Sequence, residues 1–119
     1  MTLEEHISRQ RVKYIVSSYQ LEGDDPAVFN PALDHLLQTY AAPILELALA
    51  ETLVELWLTV PLPRGLDFLQ RAEDRLQQWV RSGVCSYLEP DQFQLVTGLD
   101  PTPVFQTLDF PPPTILGRR

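Results

Sequence analysis

Ile44–Val60 reads ILELALAETLVELWLTV, and this stretch decides the fold. At 100° per residue, Glu51, Thr52, Glu55 and Thr59 gather into one narrow stripe, and nearly all the remaining circumference is Leu, Val, Ala or Trp57. A helix apolar over about three quarters of its surface sits at the centre of a domain or under a partner subunit. The spacing therefore predicts a central helix over Pro43–Val60 with its polar stripe in solvent, closed by Pro61-Leu62-Pro63. Glu46 lies opposite the stripe, among Leu49, Ala50, Leu53 and Trp57. A helix beginning at Pro43 puts Glu46 near its unpaired first-turn N–H groups; otherwise Glu46 needs a buried partner.

Working outward, Asn30-Pro31 reads as a cap followed by proline at the first helical position. Leu33, Leu36, Leu37, Tyr40, Ile44 and Leu47 follow at steps of three and four, so the apolar face crosses Pro43 in phase. Proline removes one backbone hydrogen bond and clashes four residues back, so the helix kinks near Thr39 or breaks at Ala41-Ala42. Upstream, Thr2 and Glu5 form a capping box, Val12, Ile15, Val16 and Tyr19 share one face, and Gly23 ends that helix before a turn at Asp24-Asp25-Pro26.

Downstream, a helix over Gly65–Ser82 carries Leu69, Ala72, Leu76, Trp79 and Val80, with an Asp67–Arg71 pair and Gly83 after its end. Glu89-Pro90-Asp91 opens a short helix to Gly98, and Asp100-Pro101 opens one further turn through Phe105. Val84–Leu88 has room for a short strand at most. The expectation is an all-α single domain, residues 1–106, of four to five helices around the central one. Residues 107–119, with Pro111-Pro112-Pro113, form an extended Pro-rich tail.

From Tyr14 to Pro63 there is no Lys or Arg, while the same span holds seven acids: Glu22, Asp24, Asp25, Asp34, Glu46, Glu51 and Glu55. With a net charge of −7, nucleic acid and anionic membrane surfaces are poor partners. Ala41–Val60 has the length of a membrane span, but Glu46, Glu51 and Glu55 each cost about 2–3.5 kcal/mol near a bilayer centre. The lone Cys85 allows no internal disulfide, and MTLEEHISRQ lacks the pattern of a secretory signal. A cytoplasmic protein is expected.

Glu51 and Glu55, four apart, are the only paired carboxylates that suggest a metal or acid/base site. The Glu-x-x-His spacing of helical di-metal centres is absent, and His6 and His35 merely follow Glu5 and Asp34. Cys85 stands beyond a helix end rather than at a thiolate-stabilising N-terminus, and the five glycines form no phosphate-binding loop. No catalytic residue, metal ligand or cofactor is expected. Trp57 and Trp79 read first as core. As an alternative, one anchors a bound helix or tail, with Glu51 and Glu55 as an acidic rim and Phe105 and Phe110 as further contacts.

Asp91–Phe105, DQFQLVTGLDPTPVF, with Arg64–Leu69, RGLDFL, resembles the ending of small helical accessory proteins of cyanobacteria. That resemblance implies a cytoplasmic accessory protein of a photosynthetic bacterium, with assembly factors for Rubisco, carboxysomes or photosynthetic complexes as the class. The functional expectation is a binding protein, an assembly chaperone or adaptor that grips a peptide or helix of a larger partner. An obligate homodimer is the second reading. A small metal-binding regulator or enzyme using Glu51, Glu55 and a histidine is the third.

Overall fold

The computed structural model describes residues 3–59, 61–84, 86 and 88–107, and every regular element among them is helical. In chain order these are α1 (Leu3–Ser18), α2 (Pro26–Thr39), α3 (Ala42–Glu55), α4 (Leu66–Ser82), α5 (Pro90–Thr97) and α6 (Thr102–Thr107). The all-α expectation holds, with six helices where four to five were expected. Thr2, Cys85 and the tail beyond Thr107, including Phe110, lie outside the described residues.

α3 is the centre, and α1, α2, α4, α5 and α6 all pack on it. Leu45 through Leu53 are buried without interruption, Glu46, Glu51 and Thr52 included. The central-helix expectation holds, because the chain's other helices pack on α3. One expectation is corrected in part: half of the polar stripe leaves solvent, as Thr52 returns its hydroxyl to the Ala48 carbonyl at 2.7 Å and Glu51 meets a cation from α4, while Glu55 and Thr59 stay exposed. Each fully buried Leu of this run contributes about 1.5–3 kcal/mol of burial, so α3 is the main source of cohesion.

Pro43 breaks the helix rather than kinking it. Tyr40 and Ala41 are extended (ψ 148° and 140°), and α3 restarts with proline in its first turn, where the missing N–H costs nothing. α2 begins five residues before the Asn30-Pro31 signal. Pro26 takes the first helical position, Phe29 N–H reaches the Asp25 carbonyl at 3.0 Å, and Phe29 is buried. Burying that ring rewards an early start and leaves Pro31 inside the helix.

α1 stops well short of Gly23. Gln20 adopts φ 54°, Leu21 N–H reaches the Val16 carbonyl (2.9 Å) and Gln20 N–H the Ser17 carbonyl (3.3 Å), a Schellman ending with Val16 and Leu21 both buried. α4 and α5 end at Gly83 and Gly98 as expected, both at positive φ. α5 carries a capping box between Glu89 and Gln92. α6 starts where Thr102 N–H donates to Asp100 Oδ1 at 3.0 Å, which holds the Asp100 carboxyl below its usual range. No strand occurs among the described residues of Val84–Leu88.

Candidate functional site

The acids of the cation-free span meet arginines from outside it. Arg9 of α1 reaches Asp34 of α2 at 2.7 Å. Arg11 binds Glu46 with Nε to both carboxylate oxygens (3.1 Å each) and Nη2 to Oε1 (3.0 Å), and Nη2 also donates to the Asp100 carbonyl at 2.8 Å. Arg75 of α4 holds two carboxylates at once, Glu51 through Nη1 and Glu55 through Nη2. Four of the seven acids are thus spent on joining helices to α3 or to one another.

The pairs differ in their surroundings. Glu46 is almost wholly buried, and burial raises its pKa above the ordinary value despite the hydrogen bond and charge of Arg11. Glu51 is buried and Glu55 half-exposed, and Glu51 Oε2 and Arg75 Nε have no hydrogen-bond partner. The spacing that suggested a metal or acid/base pair is taken up by a guanidinium clamp. Among the described residues no group of three or more His, Cys, Asp or Glu side chains is placed to hold a metal. His6 hydrogen-bonds Gln10 at 3.1 Å, and His35 is exposed.

The two tryptophans part company. Trp79 is core, 6% exposed. Trp57 follows the end of α3 at 59% exposure, beside Leu58 at 90%, and meets Tyr19 edge-to-face with centroids 5.9 Å apart. Tyr19 in turn donates its hydroxyl to the Val96 carbonyl, and burial raises its pKa. Phe105 is half-buried edge-on against Phe93. Of the residues expected to meet a partner, Trp57 and Glu55 are accessible, Glu51 and Trp79 are interior, and Phe110 lies outside the described residues.

A groove of about 450 Å³ opens at the same end of the molecule, between the α1–α2 turn and the segment leading into α4. Gly65 N–H to the Leu21 carbonyl (2.6 Å) ties the two walls, and Arg64, which lines the groove, reaches the Tyr19 carbonyl beside Trp57 (3.4 Å). Gly23 is required here. Its φ is 67°, and a Cβ would come within 3.3 Å of Gly65 N and 3.5 Å of Arg64 Cβ. Sequence reading took Gly23 for a helix stop and missed the groove, because the two walls lie some forty residues apart in the chain.

No family model, curated protein or solved structure matches this chain. No helix among the described residues is long and apolar enough to cross a membrane.

Proposed function

We propose that the protein is a non-catalytic, cytoplasmic binding protein, an assembly chaperone or adaptor that grips a peptide or helix of a larger partner through the Trp57 end of the bundle. The observation that carries this reading is the exposure of Trp57 and Leu58 side by side just beyond the central helix. Large aromatics flanked by apolar neighbours supply the anchors of protein interfaces, and exposing two such side chains offers a free monomer nothing. Half-exposed Glu55, one turn before them, adds an acidic edge. The resemblance of Asp91–Phe105 to accessory proteins of cyanobacteria supports partners in Rubisco, carboxysome or photosynthetic-complex assembly.

The test is capture from native lysate at near-physiological salt with wild type and Trp57→Ala. A specific partner that the substitution releases is expected. Equal recovery by both proteins sinks the reading. Trp57→Ala itself costs about 1 kcal/mol, the scale of one edge-to-face ring contact.

A homodimer is the second reading, supported by α1. Leu3, Ile7 and Tyr14 are 74%, 47% and 51% exposed, and their spacing of four and seven places them on one face opposite the buried Val12, Ile15 and Val16.

A further inference from the structure

Three acids of the cation-free span, Glu22, Asp24 and Asp25, make no ion pair among the described residues, and all three line the groove. Asp25 precedes α2 without capping it through its side chain, so its carboxylate is unspent. Arg64 is the one cation of the lining, and its Nε is turned to the Tyr19 carbonyl at 3.4 Å. Three carboxylates against one guanidinium leave a formal charge of −2. The first turns of α2 and α4 open at the two walls and add about half a positive charge each, so about one negative charge stays unanswered. Apart from Gly23 and Gly65, the rest of the lining is apolar, with Val28 and Leu66 46% and 50% exposed and Leu62 half-buried. A segment that sets one apolar side chain beside one cation satisfies both features at once.

We propose that the groove between the α1–α2 turn and the start of α4 receives a partner segment in which an aliphatic side chain stands next to Lys or Arg. The aliphatic group lies on Val28, Leu62 and Leu66, and the cation faces the carboxylates of Glu22, Asp24 and Asp25. This rests on the reading that the Trp57 end grips a peptide, and it gives that peptide its chemistry. Arg64 joins the two parts of the surface, since it lines the groove and reaches the carbonyl of Tyr19, whose ring meets Trp57. The carboxylates select as well as attract, because a segment carrying an acid next to its apolar residue is repelled.

The experiment is amide NMR on the full chain, titrated with blocked pentapeptides of sequence GLLRG, GLLEG and GGGRG. GLLRG is expected to shift the Val28, Gly65 and Leu66 resonances and to saturate at about millimolar concentration, with the other two peptides about tenfold weaker. Asp24→Asn/Asp25→Asn is expected to remove most of the preference for GLLRG over GLLEG. Salt at about 1 M, where the Debye length falls to about 3 Å, should do the same to wild type. Equal binding of GLLRG and GLLEG, or shifts that leave the groove untouched, overturns the proposal. Groove resonances that move on tenfold dilution of the peptide-free chain overturn it too, because a second copy then occupies the groove. The two readings fail separately. Charge-selective groove shifts beside lysate capture that Trp57→Ala leaves unchanged sink the Trp57 anchor alone. Capture lost on Trp57→Ala without charge-selective groove shifts sinks the groove alone.

Discussion

Glu46 shows how a single side chain turns burial into pH dependence. Its folded-state pKa lies above the ordinary 4.5, with desolvation outweighing Arg11. Between 4.5 and that raised value the folded chain binds more protons than the unfolded one. Glu46's contribution to stability is therefore fully present below 4.5 and lost as pH rises through the folded pKa. Arg11→Met removes both influences that lower this pKa, so the window extends to higher pH. At neutral pH the variant keeps a buried, unpaired carboxylate, at a cost of about 3–5 kcal/mol. Urea titrations from pH 4 to pH 8 should show the variant recovering stability on acidification more steeply than wild type. Parallel curves would mean that Arg11, 16% exposed, does not govern Glu46.

At the scale of elements, α3 and α4 are joined by apolar packing and by the Arg75 clamp on Glu51 and Glu55. The clamp is an expensive joint, because Glu51 Oε2 and Arg75 Nε are buried without partners. Arg75→Met should destabilise by about 3–5 kcal/mol, since it strands Glu51. Glu51→Met/Arg75→Met should return stability to within about 1 kcal/mol of wild type, because two apolar side chains of similar volume replace a partly satisfied pair. Equilibrium unfolding of the four proteins of this cycle measures the coupling, and a double variant no better than Arg75→Met would refute it. Pro31→Ala should stabilise by about 1 kcal/mol, as it restores an N–H to the interior of α2. These elements also show what the chain made legible. Periodicity located α3 and α4, the Glu89-Pro90-Asp91 start signal located α5, and the glycine stops of α4 and α5 were read correctly, because those signals are local. α2 began early because Phe29 finds the core, and α1 ended early in a left-handed Gln20. Glu51's arginine comes from another helix, twenty-four residues on, and spacing within one helix carries no trace of it. The Trp57 end was legible in part: its aromatic was singled out, but the groove beside it needs two distant turns to meet.

At the scale of the molecule, the cation-free span and the apolar helix have one explanation. A helix buried on every side must meet its neighbours through apolar contact or neutralised charge. Arg11 and Arg75, standing outside the span, neutralise the buried acids of α3, while Arg9 joins α1 to α2 through Asp34. Among the described residues, two groups of exposed apolar side chains stand out, Trp57 and Leu58 at one end and the Leu3–Ile7–Tyr14 face along α1, beside the more scattered Val28, Leu66, Val80 and Leu95. The first suits a different protein and the second a copy of this one, and solution mass separates them. If the Trp57 surface is the functional one, the free protein should be a 13.6 kDa monomer by light scattering across the micromolar range. The net charge of −7 opposes self-association most at low salt, so the same mass at about 0.5 M salt is the stricter check. A doubled mass that Ile7→Lys returns to monomer would move the function to α1. Insensitivity to Ile7→Lys alongside loss on Trp57→Ser would make the Trp57 end itself the seam.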